Sequence, residues 1–321
     1  MNAMIEPRKS VSVVIPTRDG RRTLDRALRS LVPSARWIAE VLLVLSNSPP
    51  EMMSFCRTAA IRFREYFEVV VLESGPPSNG AVARNVGIDR ACAKYVALLD
   101  DDDQWLENRL QIYLGYIGSR SLTGNFVIFS RALSCAEDGS AASLFPPTAY
   151  RDGLITEFLL SPFGGAQTST LMLPAALAKR VRFDEHLLRH QDYDFCIRLE
   201  ESGAAFVFID AVLSVWFQNP GGVSKTATFD DCVLWLSRNA HRLSRKAYIN
   251  YVEKELFRLA RNSGSVMRYT EFVRERFTWK EQAASSVRLA ARVVRSAVLR
   301  LSGERDAKSL LPSFRLSDDS C

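Results

Sequence analysis

The sequence has few of the features that would place it outside the ordinary globular proteins. Its six cysteines are scattered without a Cys-x-x-Cys pair and it has only three histidines, so neither a zinc module nor a disulfide framework is indicated. No stretch approaches the roughly 18 apolar residues of a membrane-spanning helix, and the polar start of the chain lacks the apolar segment of a signal peptide. We therefore expect a cytoplasmic protein with reduced thiols.

The composition is that of a folded chain, but its charge is uneven. Among 321 residues, 47% are hydrophobic and 24% charged, which argues against disorder or a coiled coil for the whole chain. Residues 225–321 hold 19 Lys and Arg against 11 Asp and Glu, so their net charge is +8. Because the net charge of the whole chain is +6, residues 1–224 carry −2. We predict a main domain over residues 1–224 and a basic helical extension over 225–321. Nucleic acid is not an expected partner, because the arginines are not interleaved with stacking aromatic residues.

Short apolar runs alternate with helical patterns along the first part of the chain. The runs predict strands at Val11–Ile15, Val41–Leu45, Val69–Leu72, Tyr95–Leu99, Phe126–Phe129, Thr170–Leu173 and Ala205–Ile209. Helices are predicted over residues 24–31, 51–64, 81–93, 105–117 and 192–201. The alternation predicts a doubly wound α/β sheet, in which ligands bind where the strands end in loops.

Four consecutive aspartates, Asp100–Asp103, follow one of these predicted strands. Adjacent carboxylates repel one another, so a cation or several hydrogen-bond donors must offset their charge. In an extended backbone Asp100 and Asp102 point to the same side, an arrangement suited to Mg²⁺ or Mn²⁺ that also holds phosphate oxygens, and a nucleoside diphosphate meets this need. The alternative is a solvated acidic turn in which Asp103 caps the following helix.

Four segments stand in a recognisable order within roughly residues 10–224: Val11–Thr17, Gly80–Gly87 with its Ala-Arg-Asn sequence, Tyr95–Asp103 and His190–Leu199. Together they resemble the inverting glycosyltransferases of family 2, which have the GT-A fold. The resemblance implies a mixed GT-A sheet, a nucleotide-sugar donor and Mg²⁺ or Mn²⁺. It also implies an acceptor hydroxyl on a glycan or lipid-linked glycan, in the assembly of a bacterial surface polysaccharide.

The same resemblance implies roles for individual residues. Donor contacts are expected from Pro16, Thr17, Arg18, Ser46, Asn47, Arg84, Asn85, Asp100 and Asp101. Asp102, supported by Asp103, is expected to bind the metal ion. For Arg84 the physical case is independent, since a fixed cation at a strand-end cleft can pair with phosphate or with the acidic cluster. An inverting transfer needs a base for the proton of the acceptor hydroxyl, for which Asp192 is the first choice and Asp194 the second.

Three positions depart from the family's pattern. After the second strand, where the family usually has Asp-Asp-Gly-Ser, this chain has Leu45–Ser48, so no carboxylate is available to a nucleobase and uridine is only the default. Gln191 replaces a glutamate, and Asn219 stands where a histidine metal ligand is frequent, offering a weaker oxygen. These changes keep a second hypothesis open, a catalytically inactive sugar-nucleotide-binding or scaffolding protein. A nucleotidyltransferase is disfavoured, because Pro16–Gly20 has too little glycine and positive charge to hold a triphosphate.

The basic extension contains four arginines and no acidic residue between residues 282 and 301. At about 100° per residue, Arg288, Arg292 and Arg295 share one face of a helix, opposite Ala290 and Val294. Two interpretations are open: this helix lies on an anionic membrane surface, or it packs on the catalytic domain or on a second subunit. The stretch has no aromatic residue, which weakens the membrane interpretation.

Overall fold

The computed structural model describes residues 9–137, 142–218 and 228–291. They divide into two compact units. The first contains the described residues up to Ser134 together with Ala166–Phe217, and the second contains Cys135–Gly165 together with those from Gln218 onward. The domain boundary predicted near residue 225 lies outside the described residues and stays a prediction. No pattern in the sequence indicates that residues 135–165 group with the C-terminal part.

Strands and helices alternate along the described residues. The strands are β1 (Val11–Thr17), β2 (Ile38–Leu45), β3 (Glu68–Glu73), β4 (Tyr95–Leu98), β5 (Gln104–Trp105), β6 (Phe126–Ala136), β7 (Ser143–Phe145), β8 (Met172–Pro174) and β9 (Ala205–Gln218). The α-helices are α1 (Leu24–Leu31), α2 (Glu51–Phe63), α3 (Gly80–Arg90), α4 (Arg109–Ser119), α5 (Ile155–Leu160), α6 (Ala175–Val181), α7 (Gln191–Glu201), α8 (Phe229–Asn239), α9 (Arg245–Tyr251), α10 (Phe257–Asn262) and α11 (Val266–Arg276).

Eight of the strands follow one another in a sheet with the order β3-β2-β1-β4-β8-β6-β9-β5. The pairs β1-β2, β2-β3 and β1-β4 are parallel. The pairs β4-β8, β8-β6 and β9-β5 are antiparallel. The predicted α/β fold with a mixed sheet is therefore confirmed.

The central strand β1 is buried on both faces, which explains its unbroken apolar sequence. Val13 and Ile15 belong to a hydrophobic cluster that includes Leu28 of α1. Val14 faces α3, at the position of Gly87. A Cβ atom at residue 87 would overlap the Val14 side chain, so glycine is required there for α3 to pack on the sheet.

Several predicted elements differ from the observed ones, and β6 and β9 extend well beyond their predicted ends at Phe129 and Ile209. Helix α4 begins at Arg109 rather than near Trp105, because Gln104 and Trp105 pair with Val215 and Ser214 of β9. Strand β8 begins only at Met172, after a 3-10 turn over Thr168–Thr170. The predicted end of the helix over residues 192–201 is confirmed, since α7 ends at Glu201 and Gly203, two residues later, has a φ of +80°.

The second unit is mainly helical, as predicted for the residues after 225. Helix α8 begins with a capping box between Thr228 and Asp231, and a π-helix occupies Val252–Leu256. Within this π-helix Lys254 donates hydrogen bonds to the carbonyl oxygens of Leu159 and Gly164. Residues 279–291 form a further helix. In the parts of the chain that the structure describes, no helix is long and apolar enough to cross a bilayer.

Candidate active site

The four aspartates form a turn directly after β4, at the edge of the sheet where the parallel strands β1 and β2 also end. The N–H of Asp103 donates to the carbonyl oxygen of Asp100 at 3.1 Å, which closes the turn. Thr17, the last residue of β1, donates from its hydroxyl to the carboxylate of Asp101. The strand-end cleft predicted from the sequence therefore holds the acidic cluster.

The carboxylates of this turn have different partners. Asp100 Oδ1 accepts a hydrogen bond of 2.6 Å from the guanidinium of Arg84, and Asp101 accepts the one from Thr17. Burial raises the pKa of Asp101 to about 7, with the neighbouring charges of Asp102 and Asp100 acting in the same direction. Each of these two carboxylates is thus held by a side chain from another strand or helix.

Asp103 is fully buried, and both of its carboxylate oxygens are engaged by the protein. Oδ2 accepts hydrogen bonds from Gln167 Nε2 at 2.7 Å and from the Ser169 hydroxyl at 2.6 Å. Oδ1 accepts from the backbone N–H of Phe217 at 3.1 Å. Burial, with the charges of Asp100 and Asp102, holds the pKa of Asp103 well above its usual value. Asp103 is thus neither the solvated residue nor the helix cap of the alternative interpretation.

Asp102 is the carboxylate of the turn to which no side chain in the described residues donates a hydrogen bond, although the positive charges of Arg26 and Arg84 act on it. Its backbone oxygen accepts a hydrogen bond of 2.7 Å from Arg26, which fixes the residue while leaving its carboxylate available. Burial and the nearby charge of Asp100 raise its pKa to about 6. A half-buried, unengaged carboxylate beside another negative charge is an environment that a hard divalent cation stabilises.

The donor set fits a metal ion that is shared with a phosphate-bearing ligand. Within residues 9–137, 142–218 and 228–291, no three His, Cys, Asp or Glu side chains converge as a complete protein-only metal site. Mg²⁺ is usually bound by one or two carboxylates and completes its coordination with water and substrate phosphate. Asp102 meets that requirement, whereas the oxygens of Asp103 are already hydrogen-bonded. Asn219, the other expected metal ligand, lies outside the described residues.

Arg84 of α3 connects the two motifs that the sequence singled out. One guanidinium nitrogen donates to Asp100 at 2.6 Å, and another donates to Gln191 Oε1 at 3.2 Å. The guanidinium carbon lies 5.4 Å from the centre of the Phe183 ring. The acidic turn and the start of α7, far apart in the chain, therefore meet at one mostly buried cation.

The two candidate bases lie in the first turn of α7 but in different surroundings. Asp192 Oδ1 accepts a hydrogen bond of 2.9 Å from the N–H of Tyr193. Burial raises the pKa of Asp192, while this hydrogen bond and the positive charge of Arg84 oppose the rise. Asp194 is buried and forms an ion pair of 2.7 Å with Arg198. The helix is preceded by His190, whose left-handed φ of 58° is uncommon outside glycine.

Asn85 lies beside Arg84 in the chain but points away into the protein, where it is buried. Its amide exchanges two hydrogen bonds with the backbone of Phe183, at 2.8 and 2.9 Å, and donates a third to Glu185 at 2.8 Å. The expected donor contact of Asn85 stays a prediction. In the structure the residue anchors the segment that leads to α7.

Ser46 and Asn47, the residues after β2 that are expected to face a nucleobase, both contact Ser78 in the loop before α3. The Ser46 and Ser78 hydroxyls are 2.9 Å apart, and Asn47 donates from its amide to the carbonyl oxygen of Ser78. Asn47 is exposed, with a left-handed φ of 47°. Of the other expected donor contacts, Pro16 is half-buried and Arg18 exposed. All these residues border the same strand-end edge.

Several residues that hold the site together were not identified from the sequence. Gln167 and Ser169 bind Asp103, and Arg26 binds Asp102 while its guanidinium stacks on Phe217 at 3.7 Å. The small and hydroxylated residues at 163–170 are only a weak signal for such contacts. For Arg26 the sequence contains no such signal, because an arginine on an amphipathic helix is expected to lie at the surface.

Comparison with known proteins shows the family of the chain. The model of the family described as Glycosyl transferase family 2 matches residues 12–137. The chain is 31% identical over 248 residues to the amylovoran biosynthesis glycosyltransferase AmsB of Erwinia amylovora, which covers 75% of this chain and 81% of that protein.

Solved structures share the fold at lower identity. The Staphylococcus aureus TarS 1-349 complex with UDP-GlcNAc has a TM-score of 0.58 and 18% identity, covering 85% of this chain and 77% of that one. The Pyrobaculum calidifontis mannosyltransferase PcManGT, in complex with GDP-Man and Mn²⁺, has a TM-score of 0.57 and 12% identity, covering 97% and 88%. The expected GT-A fold is thereby confirmed.

Proposed function

Because the chain belongs to glycosyltransferase family 2, we propose that it is an inverting enzyme that transfers a sugar from a nucleoside diphosphate to a hydroxyl group of a glycan. The observation that carries the proposal is the pair of hydrogen bonds from Arg84, at 2.6 Å to Asp100 and 3.2 Å to Gln191. They bring a fixed cation, the acidic turn and Asp192 into one cluster. Such a cluster provides both the phosphate side and the proton-accepting side of a single displacement.

The donor diphosphate binds beside Arg84 in this proposal. A guanidinium matches phosphate oxygens geometrically and is always charged, so it orients the diphosphate as the leaving group. Ser46 and Asn47 face the nucleobase with a hydroxyl and an amide, which can both donate and accept hydrogen bonds. Uridine stays the default base, and the sugar is left to the donor screen below.

Asp102 holds the divalent ion in this proposal, with Mg²⁺ or Mn²⁺ as the candidates. When bound, the ion neutralises charge that develops on the departing diphosphate. Asp103 does not take part as a ligand, because three protein donors occupy its oxygens. It instead holds the turn that presents Asp102.

Asp192 removes the proton of the acceptor hydroxyl. A base must be ionised at neutral pH, and the Tyr193 N–H together with the positive charge of Arg84 favours the ionised form against burial. Asp194 is the weaker candidate, because its carboxylate is paired with Arg198.

We further propose that the product is part of a bacterial surface polysaccharide and that the acceptor is a glycan or lipid-linked glycan. The support is the 31% identity to a protein of amylovoran biosynthesis, which extends over most of both chains. The alternative of an inactive sugar-nucleotide-binding protein has in its favour the changes at Ser46, Asn47 and Gln191. The unengaged Asp102 carboxylate favours an active enzyme instead.

A donor screen tests the proposal. The purified chain is titrated calorimetrically with UDP-, GDP- and dTDP-sugars with and without Mn²⁺, and release of nucleoside diphosphate is then measured with extracted glycan acceptors. We expect one donor to bind more tightly with Mn²⁺ and to release its diphosphate when acceptor is present. Metal-enhanced binding without turnover for any acceptor would support the inactive alternative. Tight binding that chelation leaves unchanged would overturn the metal role.

A further inference from the structure

The helix formed by residues 279–291 in the second unit is attached through its polar side chains. Glu281 accepts hydrogen bonds from Arg245 at 2.8 Å, and Arg288 donates to the buried carboxylate of Glu253 at 2.7 and 3.0 Å. Ser285 between them is 2% exposed. The side of this helix that packs on the unit is therefore mainly polar, with the half-buried Leu289 as its apolar member.

The opposite side of the helix is apolar and faces solvent. The side chains of Trp279 and Val287 are 74% and 69% exposed, and Ala283 and Ala290 are exposed as well. At about 100° per residue these four positions lie within an arc of about 80°. We call them the Trp279 face. A helix on a globular protein normally buries its apolar side, so this inverted arrangement leaves the Trp279 face available to another apolar phase.

The dimensions of the face argue against a second copy of the chain as that phase. A helix of this length spans about 20 Å and presents a strip about 10 Å wide, or about 200 Å². A stable protein dimer buries about 800 Å² on each partner. The side chains in the strip, apart from Trp279, are also too small to fill a pocket on a partner.

The chemistry of the face fits a lipid surface. An indole ring prefers the headgroup region of a bilayer, and shallow insertion needs only a narrow strip of small apolar side chains. The exposed Lys280 has its Nζ 5.6 Å from the centre of the Trp279 ring, which places a cation at the same depth. Residues 282–301 of the sequence hold four arginines and no acidic residue, a composition that complements anionic headgroups.

We propose that the Trp279 face is a docking surface for an anionic membrane. The face supplies insertion energy through Trp279 and Val287, and basic residues select the negatively charged leaflet. Arg288, which the helical spacing placed on a basic face opposite the aliphatic one, attaches the helix to the protein through Glu253. The proposal concerns a surface of the second unit and does not depend on the transfer reaction, so it can fail while the proposed function holds.

The full chain is sedimented with large unilamellar vesicles of phosphatidylcholine alone and of phosphatidylcholine with phosphatidylglycerol. The test variant carries Trp279→Ser and Val287→Ser, and the matched control carries Met267→Ser, which removes an 87% exposed apolar side chain from α11. Loss of two inserted apolar side chains is expected to lower partitioning into the anionic vesicles by about tenfold or more. Met267→Ser is expected to bind as the wild type does.

Three outcomes would overturn the proposal. One is equal sedimentation of the double variant and the wild type, and another is equal binding to the two kinds of vesicle. The third is a wild-type dimer in sedimentation velocity that the double variant converts to monomer, since the face then belongs to a second copy. Because both side chains are exposed, the double variant should keep the wild-type thermal unfolding curve, which confirms that folding is unchanged.

Discussion

The hydroxyl group of Ser169 donates a hydrogen bond of 2.6 Å to Oδ2 of Asp103. The same hydroxyl oxygen accepts the backbone N–H of Asp100 at 2.9 Å, so one side chain ties together both ends of the acidic turn. The carbonyl oxygen of Ser169 in turn accepts from the Trp105 indole at 3.0 Å and from the buried Arg109. The turn that presents Asp102 therefore rests on a network of buried polar groups.

This network separates the role of Asp103 from that of Asp102, and the substitution Asp103→Asn tests the difference. Gln167, Ser169 and the N–H of Phe217 all donate hydrogen bonds to Asp103, so the NH₂ group of an asparagine there must face at least one donor instead of an acceptor. An unsatisfied buried donor costs about 1–3 kcal/mol, and relief of the repulsion from Asp100 and Asp102 offsets part of that cost, so the free energy of unfolding should fall by up to that amount. Urea denaturation in the absence of metal measures it, and calorimetry should also find weaker Mn²⁺ binding because the turn is distorted.

The matched control is Asp102→Asn, which removes a carboxylate to which no described side chain donates a hydrogen bond and which Asp100 repels. Its free energy of unfolding should be unchanged or higher than that of the wild type, while Mn²⁺ binding is lost. If Asp103→Asn instead retains full stability and loses only the metal, then Asp103 is a metal ligand as the sequence suggested.

The sequence was informative wherever the signal is local. Buried parallel strands such as β1 and β4 are continuous apolar runs, and α7 begins at its predicted acidic turn with a glycine after its end. Strand β5 has two residues, too few for a periodic pattern, and it exists because β9 offers it a partner. Because Gln104 and Trp105 are part of this strand pair, α4 begins at Arg109, later than the apolar spacing alone predicts.

The sequence predicted which residues form the candidate site but not the role of each residue in it. Four adjacent aspartates look alike in a sequence, and only the fold brings Gln167, Ser169 and the N–H of Phe217 to one of them. The role of Arg288 also depends on the fold. Helical periodicity predicts which face of the helix carries Arg288, but it does not predict whether that face is exposed to water or contacts the buried Glu253. Long-range partners decide what a charged residue does, and spacing does not report them.

The second prediction concerns Arg84, whose guanidinium group donates hydrogen bonds both to Asp100 in the acidic turn and to Gln191 at the start of α7. Arg84→Lys keeps the charge but cannot reach both Asp100 and Gln191 with a planar group. Loss of a charge-assisted hydrogen bond, worth about 1.5–3 kcal/mol, should lower kcat/KM for the donor by about tenfold to a hundredfold. Steady-state kinetics with varied donor measures this loss.

Gln191→Ala is the control for Arg84, since it removes only the 3.2 Å bond and leaves the ion pair with Asp100. Its kcat/KM should fall by a smaller factor than that of Arg84→Lys. Equal losses in the two variants would mean that the contact with α7, rather than the cation itself, is what the reaction requires.

Asp192 and Asp194 give the third prediction, in which catalysis and stability separate between two neighbouring carboxylates. Asp192→Asn removes the proposed base, whose contribution is on the order of 10²–10⁴ in rate, so kcat should fall by that factor with donor affinity and unfolding nearly unchanged. Asp194→Asn breaks the pair with Arg198 and should lower the free energy of unfolding by about 2 kcal/mol, less than for a fully buried pair because Arg198 is partly exposed.

Both variants are compared with the wild type by calorimetric donor binding, single-turnover transfer and urea denaturation, since kinetics alone cannot tell a lost base from a misplaced helix. Retention of transfer in Asp192→Asn, with transfer lost in a folded Asp194→Asn, would assign the base to Asp194. The ion pair with Arg198 makes that outcome unexpected, because the guanidinium already occupies the carboxylate that would have to accept the proton.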